Sequence, residues 1–376
     1  MAGIYIHIPF CYSRCSYCDF YKTTDQTLKS DFLEAICDEI ILNASFFKDN
    51  QISTLYFGGG TPSVLSLQEL QSIFNCLSDF VNLSELDEIT MEVNPDDVSE
   101  AYIQGLIELG VNRLSMGIQS FFDAHLRKMN RRHNAKQAIN AVEIAKKSGI
   151  NNISIDLIYG LPYMTFDEWK KNVKMALDLK VEHISAYHLT IEKGTPYYDL
   201  LKKGKLTEIN EEDSEQQFEY LVSKLEEAGF SNYEISNFAY GKLISQHNSN
   251  YWTGKKYLGL GPSAHSFDGK KRKWNISHLS KYNEQLKGKQ KYWDEELLSD
   301  TDIYNERIML GLRTLKGFNS DFIKRVNNDI KSFFEQELVQ QIKLGNIEKD
   351  DVYYRVPKSK RFITDRIISD FFYIDE

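Results

Sequence analysis

The sequence predicts an α/β protein: a partial, TIM-like (β/α)6 barrel over roughly residues 1–200, followed by a small, mainly helical C-terminal domain. Three observations carry this. Strand-like and helix-like patterns alternate six times before residue 190. Four segments, ELGVNRLSMG, KSGINNISID, DLKVEHISAY and EAGFSNYEIS, each end a helix and open a strand, which makes the alternation a weak internal repeat. Polar and glycine-rich motifs also fall where the strands end, and that is the end at which parallel α/β sheets bind ligands.

In chain order, residues 3–8 read as a strand that delivers a cysteine-rich loop. Residues 27–47 read as one helix, with Leu28, Phe32, Leu33, Ile36, Ile40 and Ala44 at helical spacing. A short apolar strand at 52–57 runs into Gly58-Gly59-Gly60-Thr61-Pro62. Ser66 and Glu69 form a capping box that opens a helix to about residue 80. A strand at 89–93 leads to a helix at 99–109 closed by Gly110, and a strand at 111–116 precedes a helix at 135–147 closed by Gly149. A strand at 153–159 follows, then a helix at 165–179 opened by a second capping box, Thr165 with Glu168, then a strand at 183–189. Past residue 200 the repeat fades. Residues 213–228, 302–312 and 321–343 read as helices, 240–295 shows no clear pattern, and 353–371 reads as a hairpin or as a strand plus a helix. This divides the chain into a core at 1–235 (an extension beginning near 195), a connecting region at 236–300 and a C-terminal domain at 301–376.

The chain has 376 residues, 42% of them hydrophobic, enough for a sizeable core in one large domain or two ordinary ones. Its net charge of −9 argues against a broad basic surface for nucleic acid. The basic runs at 270–273 and 287–291 read as solvated loops. No apolar run approaches the ~20 residues of a membrane span. The N-terminus lacks a basic leader region and enters the cysteine cluster directly, so no signal peptide is expected and the expected location is the cytoplasm. Aromatic residues make up 13% and serve either as core filler or as walls for a flat ligand.

Of the five cysteines, Cys11, Cys15 and Cys18 form C-x3-C-x2-C on the loop after the first strand. An odd count without export signals makes a disulfide framework unexpected. Cys37 and Cys76 fall in helical patterns and are expected to be core thiols. Three clustered thiolates suit a metal centre. Zinc would need a fourth ligand, His7 or Asp19. An iron–sulfur cluster held by three cysteines leaves one iron open for a substrate or cofactor.

C-x3-C-x2-C after the first strand and GGGTP after the second resemble the radical S-adenosylmethionine (SAM) superfamily. The likeness continues through Tyr5-x-His7-Ile8-Pro9-Phe10-Cys11, Gly117-Ile118-Gln119-Ser120 and Asp156-Leu157-Ile158-Tyr159-Gly160-Leu161-Pro162. These segments are similar to the branch that holds the oxygen-independent coproporphyrinogen dehydrogenase and the heme chaperones. The resemblance implies a [4Fe-4S] cluster on Cys11, Cys15 and Cys18, with SAM on the fourth iron. It implies that Tyr5 approaches the sulfonium and Tyr17 the adenine. Gly59, Gly60 and Thr61 would cradle the methionyl amine, and Glu92 and Gln119 would bond polar groups of SAM. Arg131 would fork onto its carboxylate, with Arg132 as the neighbouring alternative. Asp156 suits the ribose hydroxyls.

Within that branch three features favour a heme chaperone. Phe20 stands where the dehydrogenase has a further cysteine, the first strand begins at residue 3 with no long extension before it, and His247-Asn248-Ser249-Asn250-Tyr251-Trp252 matches an H-N-x-x-Y-W motif. The last would put heme against His247, Asn248, Tyr251 and Trp252, with His265 as a second candidate. The expected function is thus to bind heme and pass it to an acceptor protein. The alternative is radical decarboxylation of coproporphyrinogen III.

Overall fold

The structure, a computed structural model, describes residues 1–375. Six strands, β1 (Ala2–Ile8), β2 (Ile52–Gly59), β3 (Glu88–Val93), β4 (Arg113–Gln119), β5 (Ile153–Tyr159) and β6 (His183–His188), lie side by side in sequence order, all parallel. Helices between them cover the outer face. Strand side chains alternate between two faces, and here the faces differ in chemistry. Ile4, Ile6 and Ile8 of β1, Leu55 and Phe57 of β2, and Ile153, Ile155 and Leu157 of β5 are sealed under the helices. Each such side chain contributes about 1.5–3 kcal/mol by leaving water. The inner face is mostly polar: Tyr5, Thr54, Tyr56, Glu88, Glu92, Arg113, Ser115 and Asp156 share the barrel interior. That asymmetry makes the barrel a container for polar chemistry.

The predicted capping boxes are present. Glu69 N donates to Ser66 Oγ while Ser66 N donates to Glu69, and Thr165 and Glu168 do the same. Gly110 and Gly149 end their helices at φ +91° and +102°, as their positions require. The predicted 27–47 helix is two helices, Lys29–Leu42 and Ala44–Asp49. They part at Asn43, whose side-chain amide donates to Glu39 O at 2.8 Å and so competes with the helical bonding there.

The region 236–300 is more than a connector. It supplies β8 (Asn237–Tyr240), β9 (Tyr257–Leu260), β10 (His265–Phe267), β11 (Lys271–Asn275) and β12 (Trp293–Leu297) to the same sheet. With β7 (Phe230–Glu234) the order becomes β12-β11-β10-β9-β1-β2-β3-β4-β5-β6-β8-β7, twelve strands in all. Glu39, fully buried, anchors the added strands. It accepts from Gly261 N, from Asn275 and from Tyr282 Oη. The basic run 270–273, expected as a loop, lies largely on β11, where Lys271 and Arg272 pair with Glu295 and Glu306.

Cys37 and Cys76 correct the sequence expectation: they are joined in a disulfide. Each sits on a barrel-covering helix, Lys29–Leu42 or Leu67–Ser78, and the packing of these two helices brings the sulfurs together. Beyond residue 300 a second apolar cluster, including Tyr304, Ile308, Phe334, Ile367 and Phe371, forms its own core. It is mainly helical, with a small sheet of β13 (Phe318–Asn319), β14 (Glu348–Asp350) and β15 (Tyr353–Arg355). No described helix is long and apolar enough to cross a membrane.

Candidate cofactor pocket at the open end of the barrel

A cavity of about 450 Å³ opens at the C-terminal ends of the parallel strands. Cys11, Cys15 and Cys18 all line it, and all three are free thiols. Their loop is tied down by backbone bonds from Cys11 N to Thr23 O and from Ser16 N to Met129 O. Among the described residues no three His, Cys, Asp or Glu side chains converge on a point suited to a single ion. The three thiols share the wall of one cavity. His7, one proposed fourth zinc ligand, has both ring nitrogens engaged, Nδ1 with Tyr5 Oη at 3.1 Å and Nε2 with Tyr21 O at 2.9 Å. Burial lowers its pKa to about 4, so it is a neutral structural group.

Gly59, Gly60 and Thr61 reach the cavity wall from the end of β2. The glycines are required by the approach of β1. A Cβ on Gly59, at φ +106°, would lie 2.5 Å from the His7 ring, and one on Gly60 would lie 2.8 Å from Phe10 O. Thr61 Oγ1 sits 3.3 Å from Cys11 Sγ. Gln119 ends β4 at φ +68°, a left-handed turn that sets it on the wall.

Glu92 and Asp156 also reach the cavity. Glu92 accepts from Tyr56 Oη at 2.8 Å, and Asp156 from Ser115 Oγ at 3.4 Å. Burial pushes Glu92 up to about 7 and Asp156 up to about 6. Arg131, not Arg132, is the cation that contacts a cluster thiol. It donates to Cys15 Sγ at 3.3 Å, to Gly117 O at 2.6 Å and to Asn94 Oδ1, and its Nε has no partner among the described residues. Arg132 is neutralised by Asp96 and Asp97. Tyr17 lines the cavity. Tyr5 does not: it lies a layer deeper, stacked on Tyr56 at 6.1 Å beneath Gly58.

The H-N-x-x-Y-W segment is elsewhere. It forms the helix Gln246–Trp252, at the opposite end of the barrel, and its first two backbone N–H groups donate to Glu88 at 2.8 and 3.0 Å. His247 is 1% exposed, with Nδ1 on Thr54 Oγ1 and Nε2 on Tyr251 Oη, each at 2.9 Å, and its ring stacks on Tyr56. Burial lowers its pKa to about 3. The four residues expected against heme, His247, Asn248, Tyr251 and Trp252, are thus held in the barrel floor, away from the strand ends. Both imidazole nitrogens are hydrogen-bonded, and none of the four residues lines either of the two described cavities. His265 stacks on Trp274 away from both cavities. Sequence reasoning missed Tyr187 and His188, which end β6 and line the first cavity. The signal was the rule already used for the other strands, that ligands meet the strand ends.

Residues 5–176 match the radical SAM superfamily, and residues 298–362 match the HemN C-terminal domain. The first match implies a [4Fe-4S] cluster and SAM. The heme chaperone HemW of Bacillus subtilis (strain 168) is 35% identical over 355 residues, covering 93% of this chain and 94% of its own length. The chain belongs to the HemW family. The HemW heme chaperone of Lactococcus lactis is likewise 35% identical, over 90% of this chain and 87% of its own. Among solved structures, coproporphyrinogen III oxidase (HemN) of Escherichia coli superposes with a TM-score of 0.84. It covers 99% of this chain and 90% of its own at 23% identity, a shared fold. HemW membership fits Phe20, which stands on the cluster loop at the cavity rim and is 67% exposed.

Proposed function

We propose that this chain binds heme and passes it to an acceptor protein, while carrying a [4Fe-4S] cluster and SAM at the barrel mouth. The supporting observation is 35% identity to a HemW heme chaperone over 93% of the chain, combined with three free thiols lining one cavity. In this reading Cys11, Cys15 and Cys18 hold three irons. Arg131 offers its unpartnered Nε to the SAM carboxylate. Gly59, Gly60 and Thr61 present backbone to the amine, Tyr17 faces the adenine, Glu92 and Gln119 bond polar groups, and Asp156 takes the ribose hydroxyls. Tyr5 acts one step back, stacked on the Tyr56 ring whose hydroxyl bonds Glu92. When bound and reduced, the cluster supplies an electron that can cleave the SAM sulfonium. We assign the cytoplasm because the cluster needs Cys11, Cys15 and Cys18 reduced, and this outweighs the Cys37–Cys76 disulfide, which points the other way.

Decarboxylation of coproporphyrinogen is the second reading, favoured only by the fold shared with HemN. Parallel assays on anaerobically reconstituted protein decide. Heme binding above that of an unrelated protein, without SAM-dependent porphyrin product, is expected. Product with no specific heme binding would reverse the assignment.

A further inference from the structure

A second cavity, about 390 Å³, adjoins the first and shares His188 and Leu189 with it. One wall is the end of β5 and β6 and the segment after them, with Pro162 and Ile191. The other wall comes from the C-terminal region, with Phe362, Ile363 and Arg366. The lining combines apolar Pro162, Ile191, Phe362 and Ile363 with charged Glu208, Glu211 and Arg366.

His188 is the last residue of β6 and, unlike His247, it is exposed. Its Nε2 lies 3.0 Å from Ser214 Oγ, its ring meets Tyr159 edge-on at 5.1 Å, and its Nδ1 has no partner among the described residues. Heme iron takes histidine through Nε2, so ligation here exchanges the single Ser214 hydroxyl contact for iron and leaves Nδ1 to hold the ring from its other side. Partial burial lowers its pKa from the ordinary imidazole value, which favours the neutral ring. Arg366 makes no ion pair among the described residues. It offers a guanidinium to carboxylates.

We propose that this second cavity is the heme seat, with His188 as the axial ligand to iron, the apolar wall of Pro162, Ile191, Phe362 and Ile363 against the macrocycle, and Arg366 on the propionates. The occupant follows from the chemistry: a flat apolar ring, a metal wanting nitrogen, and two carboxylates. Glu208 and Glu211 line the same cavity, and their charge directs the propionates toward Arg366. The proposal rests on the heme-carrying reading above.

The test uses the full chain, anaerobically reconstituted to equal cluster content, titrated with ferric heme and read by the Soret band. His188→Ala should weaken heme binding at least tenfold and shift the Soret maximum. Iron-free protoporphyrin IX, which lacks the metal, should bind wild type and His188→Ala alike. Arg366→Gln should weaken both ligands several-fold, and His247→Gln should leave both unchanged. Unaltered heme affinity and spectrum in His188→Ala overturns this seat while the carrier reading stands. No specific heme binding by the wild type overturns both.

Discussion

Arg131 and Cys15, 116 residues apart, meet at 3.3 Å, Nη1 to Sγ. The guanidinium thus lies against a cluster thiol while its Nε–H keeps no partner among the described residues, which leaves one donor for an anion. Arg131→Ala should weaken SAM binding by about 2 kcal/mol, a lost charged hydrogen bond. Arg132→Ala should have a smaller effect, because its charge is already spent on Asp96 and Asp97. The measurement is a SAM titration followed by EPR of the reduced cluster. A spectrum in wild type that SAM leaves unmoved contradicts the open site.

Serine at Cys11, Cys15 or Cys18 should abolish the brown absorbance and the bound sulfide. Cys37→Ser should retain both, because its sulfur bonds Cys76 on the outer helices. Iron and sulfide assays on anaerobically purified variants check this, and a tightly held zinc without sulfide would refute it.

Glu92 makes stability depend on pH. Folded, it keeps its proton to about pH 7, against 4.5 when unperturbed. Between those values the folded state binds more protons, so stability falls as pH rises. Above pH 7 the full cost applies, at most about 3 kcal/mol. Denaturant titrations of the chain without SAM should show Glu92→Gln stabilising at pH 8.5 and nearly neutral at pH 4.5. The same difference at both pH values would exclude this origin.

His247→Ala should cost roughly 2–4 kcal/mol, since it opens a cavity and strands Thr54 and Tyr251. Thermal melts check it. A change below 0.5 kcal/mol, on the order of a surface substitution, would place the ring in solvent instead.

The parts legible in the sequence are local. Ser66 with Glu69 and Thr165 with Glu168 cap their own helices within four residues, and strand alternation at Ile153, Ile155 and Leu157 fixes which face meets the helices. The cluster loop, Glu92, Gln119 and Asp156 followed from strand ends. What failed depends on distant pairing. Nothing near Tyr257–Leu260 announces that this strand lies parallel to β1 across some 250 residues of chain. Nothing in H-N-x-x-Y-W says that Thr54 and Glu88 will absorb its polar groups. A histidine among rings reads alike whether it faces a ligand or fills a core, and Cys37 and Cys76 meet only because their helices pack.

The helix Gln246–Trp252 stoppers the barrel floor, with its N-terminus pinned on Glu88. With that end plugged, the larger cavity lies at the opposite end, so its ligands meet the chain where the cysteine loop and the last residues of β6 come together.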